Sequence, residues 1–337
     1  FVCLMSKSPI SGDYIKGEGK AGRMGTRLMA VVAEGVRQRV YITPTKEMEE
    51  AAKSVKNIEK PELTISGSTQ YIGVKPYGME RFDQLFSSRQ LKAMTTFTAL
   101  VNGACAQVKK DALTSTSPDS GLGLNENGRG ITAYSEAVAV YAAITVSRLA
   151  NRGCTLAFWD NTSQKIQQAF GRQALSMTWD YCESNPFSDS SGNWLGQLSF
   201  PVKCIESSPT RVQGSASQQD AQQQSISRGK VISTDPPYFD NVPYADLSDF
   251  FYIWLRHSLK HIYPGLFSTV AVPKAEELVA FAYRHDGKAG AEAFFLEGMT
   301  QAMHRLAEQA HPSFPVSIYY AFRQAETDDA SGTSSTG

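Results

Sequence analysis

Asp235-Pro236-Pro237-Tyr238 is the tetrapeptide of this chain best equipped for chemistry. The run before it, Val231-Ile232-Ser233-Thr234, is rich in β-branched residues and reads as a strand. Two consecutive prolines cannot donate to a sheet ladder, and Pro236 biases Asp235 away from helical geometry, so the strand must stop there. Its last side chains then stand at the carboxyl edge of a sheet, where ligands sit in open α/β folds. The chemistry these groups suit is that of a planar amine. An exocyclic amine on a nucleobase is a poor nucleophile because its lone pair is delocalised into the ring. A carboxylate and a backbone carbonyl that accept its two hydrogens draw the nitrogen toward sp³ geometry and free that pair. Asp235 and the Pro236 carbonyl supply the two acceptors, since proline keeps its carbonyl while losing its N–H. Tyr238 offers a face on which an extruded base would stack. The tetrapeptide alone also fits a plain loop turn with the aromatics as core.

The elements around it must do the positioning. Aromatic residues follow directly, Phe239 and Tyr244 with Asn241 between them, as second-tier candidates for lining a pocket. A helix is expected next, opened by Asp246 or Ser248 as N-cap, with Leu247, Phe250, Phe251, Trp254 and Leu255 at helical spacing. A second helix is expected over residues 289–310, with Phe294, Phe295, Met299, Met303 and Leu306 on one face. Pro312 and Pro315 end it, and a strand over 316–322 follows. A strand, a helical crossover and another strand form a βαβ unit, expected to be parallel and right-handed.

The Asp-Pro-Pro-Tyr motif between a strand and an aromatic segment resembles the catalytic motif of the amino-methyltransferases that modify adenine N6 or cytosine N4 in DNA. More narrowly, TDPPYFDNVPYADLSDFFYIWLR resembles the DUF1156-containing adenine-specific DNA methylases, some of which carry a zinc ribbon. GKAGRMGTRLMAVVAEG, FGRQALSMTWDYCESNPFSDSSGNW and SIYYAFRQAE resemble other parts of that family. The resemblance implies an α/β fold: a partial Rossmann-like class I methyltransferase sheet with helices on both faces, plus a small N-terminal α+β region. It implies S-adenosylmethionine as cofactor and DNA as partner, with Asp235, Pro236, Pro237 and Tyr238 catalytic. It places Asp220, with Ala221, where an acidic loop residue contacts the cofactor's adenine amine. Adenine N6 is favoured over cytosine N4, because the family form with Asp in first place is commoner among adenine enzymes. The family's glycine-rich cofactor turn, resembling DPFAGGG, has no counterpart in the chain, whose expected status is therefore the catalytic half of a longer enzyme. RNA or a protein amide as substrate is the alternative within the same chemistry. A non-catalytic nucleic-acid-binding subunit of a defence system is the alternative outside it.

The 33 basic and 33 acidic side chains cancel to zero net charge, so overall charge gives no support to nucleic-acid binding, and local basic stretches must supply it. The absence of any long apolar run excludes a membrane-spanning helix from the expectations. Five widely spread cysteines, none in a C-x-x-C pair, point to reduced thiols and a cytoplasmic setting. Cys3 stands where zinc-ribbon relatives carry half a C-x-x-C pair, but its partner position is Ser6. One thiol cannot hold a tetrahedral zinc, so no metal is expected and Cys3 is read as a small buried residue.

Expected domains are residues 1–125 as an accessory region, 126–325 as the catalytic half and 326–337 as a disordered tail. Within the first, residues 16–39 read as a basic, glycine-rich loop running into a strand over 28–33, with a second strand at 40–42. Thr45 should cap a helix over 46–55. A helix is expected over 81–109, burying Phe82, Leu85, Phe86, Leu91, Met94, Phe97, Leu100 and Val101, and another over 131–149. Ser163 reads as the cap of a helical stretch reaching Phe170. The segment 170–194 carries Arg172, Asp180, Glu183, Asn185 and Asn193 between aromatics. It fits either the wall of a cleft or a folded loop whose polar groups cap helix ends.

Overall fold

In the computed structural model the described residues are 1–56, 58–114, 118–208, 212 and 214–320. The chain is mixed helix and strand, and it divides into two compact units. The first comprises Phe1–Gln213 and Asp246–Val272, and the second Gly214–Ala245 and Pro273–Gly337. The expected boundary near residue 125 lies inside the first unit, because the helices on either side of it pack along each other. The tail expected over 326–337 lies outside the described residues.

The first unit opens with helix α1 (Gly12–Lys20), whose cap Ser11 accepts a hydrogen bond from the Tyr14 N–H at 3.2 Å. This corrects the flexible loop expected from residue 16. Glycine is costly inside a helix, but here a tertiary contact demands it. A Cβ on Gly19 would lie 2.5 Å from the Tyr77 carbonyl oxygen, and one on Gly78, whose φ is +81°, would lie 2.6 Å from the Gly19 carbonyl oxygen. The two backbones therefore cross at a distance only glycine permits. Strands β1 (Val31–Glu34) and β2 (Arg39–Ile42) form an antiparallel pair with Val31 opposite Ile42.

Helix α2 (Lys46–Lys53) begins where expected. The Thr45 hydroxyl accepts from the Met48 N–H, and Glu47 and Glu49 sit in the first turn against the positive end of the helix dipole. None of its residues is buried, so the cap matters more than packing. Thr45→Ala is expected to cost about 1 kcal/mol of local stability, seen as roughly fivefold faster amide exchange within α2.

Helix α3 (Ser88–Ala112) packs along α4 (Ile131–Ala150), and α4 along α5 (Trp194–Ser207). Ser87 and Gln90 form a reciprocal capping box at the start of α3. Leu91, Met94, Phe97 and Val101 are buried at spacings of three and four, while Leu100 falls off that stripe and is exposed. Short strands β3 (Trp159–Asp160) and β4 (Lys165–Ile166) pair antiparallel where a helix capped by Ser163 was expected. The Asp160 carboxylate takes hydrogen bonds from the Thr162 N–H, the Ser163 N–H and hydroxyl, and the Gln167 amide. Those bonds, led by the Ser163 hydroxyl, hold its pKa down at about 2. A turn closed by an aspartate outcompetes the first turn of a helix here.

Helix α6 (Tyr244–Leu259) starts three residues before the first helical position that an Asp246 cap would give, so Asp246 lies inside it and is buried, taking a hydrogen bond from the Ser66 hydroxyl. The residues of α6 from Asp246 onward belong to the first unit, where Phe250 is fully buried against Phe86, Phe170 and Phe251.

Cys154 is buried, and desolvation pushes its thiol up to about 12, against 9.0 unperturbed. Burial does the same to Cys182, also to about 12. A pKa raised in the folded state gives stability that is complete below the unfolded value and is lost as pH rises to the folded one. Stability is therefore expected to fall between about pH 9 and pH 12, and Cys154 should resist alkylation at pH 8 until the protein is denatured. Mass-spectrometric mapping of alkylated cysteines checks this.

In the second unit, β5 (Ser233–Thr234) and β6 (Ser317–Ile318) pair parallel, with helix α7 (Lys288–Gln309) between them in the chain. The βαβ connection and its parallel pairing are as expected, although the strands are shorter than the runs 231–234 and 316–322. Ala321 and Phe322 lie outside the described residues. The buried line of α7 is Ala291, Phe295, Gly298 and Ala302, a seam of small residues around one phenylalanine rather than the bulky face expected. Leu278 presses against Gly298, where a Cβ would meet its side chain at 2.3 Å. Among the described residues each sheet has two strands, and no larger parallel sheet of the methyltransferase kind is formed. No helix among them is long and apolar enough to cross a membrane.

Candidate active site

The carboxyl ends of β5 and β6 meet at one edge. The Ser317 N–H donates to the Ile232 carbonyl at 3.0 Å and the Tyr319 N–H to the Thr234 carbonyl at 2.8 Å. Past the last bond the prolines end the ladder, as their missing N–H requires. Asp235 is exposed there, and Pro236, Pro237 and Tyr238 are half-buried. Neither the Asp235 carboxylate nor the Pro236 carbonyl accepts a hydrogen bond among the described residues. Two acceptors thus stand on adjacent residues with no hydrogen-bond partner among the described residues.

The backbone beyond turns sharply. The Asn241 N–H donates to the Tyr238 carbonyl at 2.8 Å, and Phe239 has φ of +34°. A bulky side chain at positive φ is strained, and such strain persists only where its surroundings enforce it. Here the Ala280 N–H donates to the Phe239 carbonyl at 2.8 Å, and the Phe239 ring meets Phe295 edge-on with centroids 5.2 Å apart. Phe239, Phe295, Met299, Ala280 and Ala291 make the small core behind the rim. Phe239 is therefore an anchor for the turn, whereas Asn241 and Tyr244 are exposed.

Tyr238 packs edge-on against Tyr320, with centroids 5.2 Å apart. Tyr320 was not foreseen as a site residue. The parallel pairing carries it to the same edge, and the expected βαβ unit held the signal: residues after the second strand must emerge beside those after the first.

The expected cofactor residues stand elsewhere. Asp220 accepts hydrogen bonds from the Gln222 N–H and the Gln223 side-chain amide, while its carbonyl accepts from the Gln224 N–H. The Gln224 carbonyl in turn accepts from Arg305 Nε and Gln309 Nε2 at the carboxyl end of α7, and the Gly229 N–H donates to the Gln309 carbonyl. That pins the loop to the amino end of β5, where Lys230 bridges Ala310. Five residue steps of extended chain lead from Lys230 to Asp235, roughly 17 Å. Asp220 and the exposed Ala221 are thus tied to the end of β5 opposite the rim that holds Asp235.

Of the polar residues in segment 170–194, Glu183 pairs with Arg89 at 2.7 Å and Asn193 caps α5 through the Gly196 N–H. Arg172 bonds Ser176, and Asp180 is exposed. Cys3 is half-buried rather than buried, with the Ser6 N–H on its sulfur at 3.4 Å. Among the described residues no group of three or more His, Cys, Asp or Glu side chains is placed to hold a metal. No family model matches the chain, and neither a curated protein nor a solved structure matches it.

Proposed function

We propose that the chain is an amino-methyltransferase acting on DNA, with the N6 amine of a flipped-out adenine as acceptor and Asp235-Pro236-Pro237-Tyr238 as the amine-holding site. The observation that carries this reading is the pair of unengaged acceptors, the Asp235 carboxylate and the Pro236 carbonyl, at the carboxyl edge of a parallel βαβ unit. These residues bind and orient the amine: each acceptor takes one N–H, which pulls the nitrogen toward tetrahedral geometry and raises its nucleophilicity. Tyr238, with Tyr320 against it, offers an aromatic surface for the base. The strained turn at Phe239 fixes the direction in which the tetrapeptide projects. S-adenosylmethionine is the methyl source this chemistry calls for. The residues expected to hold it, Asp220 and Ala221, do not fit a cofactor placed at the Asp235 rim, so no residue of this chain is assigned to it.

The experiment is a transfer assay with methyl-labelled S-adenosylmethionine on single-stranded DNA, duplex DNA, RNA and protein, followed by nucleoside digestion. Label recovered as N6-methyladenine from DNA is the expected result. Label confined to RNA or protein would move the same chemistry to another substrate. No label on any of them would favour a non-catalytic role in nucleic-acid binding.

A further inference from the structure

Trp179 and Phe1 form an exposed aromatic ledge on the first unit. Trp179 is 49% exposed and Phe1 is 74% exposed. The two rings meet edge-on with centroids 6.1 Å apart, and Trp179 also stands edge-on to the half-buried Tyr77 at 5.1 Å. Tyr77 thereby steadies the indole while about half of it stays open to solvent. A single exposed apolar side chain is ordinary, but two large rings in contact at the surface mark a place where something docks.

The basic stretch of the sequence runs beside this ledge. Residues 1–30 carry five Lys and Arg side chains against two acids, in a chain whose net charge is zero. Both acids are engaged, Asp13 by Lys16 at 3.5 Å and Glu18 by Arg23 at 2.7 Å. Lys7, Lys20 and Arg27 are exposed and make no ion pair among the described residues. The crossing of α1 with Gly78 sets Lys20 next to Tyr77, since a Cβ on Gly78 would lie 2.9 Å from the Lys20 Cα. Thr26 reaches the Tyr181 hydroxyl, so Arg27 lies close to the segment that carries Trp179. Lys7 sits in the turn of the short hairpin that includes Phe1. Asp180, beside Trp179, is the exposed acid of this segment, and the three free cations outnumber it.

We propose that this face binds single-stranded DNA, its bases stacking on Trp179 and Phe1 and its phosphates held by Lys7, Lys20 and Arg27. Stacking needs the open face of an unpaired base, and cations spaced around an aromatic ledge suit the backbone that runs past it. The choice of DNA rests on the methyl-transfer reading, whereas the surface itself belongs to the first unit and Asp235 to the second. The probe is a fluorescein-labelled oligothymidylate, because thymine has no exocyclic amine for Asp235 and Pro236 to hold. Binding to the whole chain is followed by fluorescence anisotropy without a methyl donor, so its failure and the failure of methyl transfer are read separately. The single strand is expected to bind at least about tenfold more tightly than its duplex with oligodeoxyadenylate. Trp179→Ala should weaken binding by at least about fivefold while circular dichroism shows a folded protein. Lys20→Gln, a change at an exposed position, should flatten the slope of log affinity against log salt by about 0.7. Duplex bound as tightly as the single strand, oligouridylate bound more tightly than oligothymidylate, or no binding at all overturns the proposal. So does a folded Trp179→Ala protein that binds as the parent does, or a salt slope that Lys20→Gln leaves unchanged.

Discussion

Asp235→Ala is expected to lower methyl transfer by roughly 10²–10³-fold, the usual loss when one preorganised polar group is removed from the reacting centre. Thermal stability should be unchanged. Asp235 is exposed and makes no hydrogen bond or ion pair among the described residues, so truncating it breaks none of their polar contacts. Surface changes of that kind fall within about 0.5 kcal/mol. Asp235→Asn keeps one oxygen acceptor and loses the charge, and should fall between the parent and the alanine variant. The separation of activity from stability is what distinguishes a reacting group from a turn residue. A turn role would make Asp235→Ala destabilise the protein or do nothing at all.

The largest expected loss of stability is at Phe250. Its side chain is fully buried, stacked on Phe86 with centroids 5.7 Å apart and edge-on to Phe170 and Phe251 at 5.3 and 5.1 Å. Phe250→Ala leaves three rings facing a void, and burial lost together with the cavity costs about 3–5 kcal/mol. Chemical denaturation followed at the first unit should show a lowered midpoint with an unchanged slope. Ser248, two residues away on the exposed side of α6, is the control, and Ser248→Ala should shift the midpoint by less than about 0.5 kcal/mol.

The contrast between those two positions on α6 explains what could be read from the sequence. The spacing of Leu247, Phe250, Phe251, Trp254 and Leu255 states a helix with one buried face, and Leu247, Phe250 and Trp254 are indeed buried. Helix α3 announced itself in the same way, α4 and α7 were expected where they stand although the buried face of α7 is not the bulky one, and Thr45 announced the start of α2. The parallel pairing of β5 with β6 followed from strand, crossover and strand. Other elements were illegible because their cause is not local. Helix α1 carries three glycines, and only the crossing with Gly78 explains Gly19. Helix α5 contains Pro201, which reads as a breaker, yet the helix runs through it. The β3–β4 hairpin depends on Asp160 collecting four donors, among them the Ser163 hydroxyl that looked like a cap.

The rim itself was legible at Asp235 through Tyr238, because proline chemistry fixes where a strand ends. Phe239 was legible as aromatic but not as an anchor, since its positive φ and its packing on Phe295 depend on α7. The place of Asp220 could not be read from sequence, because a loop's position relative to a strand edge is set by what ties it down. Here the tie is Gln224, held by Arg305 and Gln309 at the far end of α7. Tyr320 went unnoticed because its value comes only from standing beside Tyr238.

The most direct measurement of the central claim is a crystal structure of the whole chain with an adenine-containing DNA oligonucleotide and S-adenosylhomocysteine. An extruded adenine whose N6 lies within hydrogen-bond distance of both the Asp235 carboxylate and the Pro236 carbonyl, with its ring against Tyr238, is the predicted result. A bound adenine whose amine is held by other residues, with Asp235 still facing solvent, would contradict it.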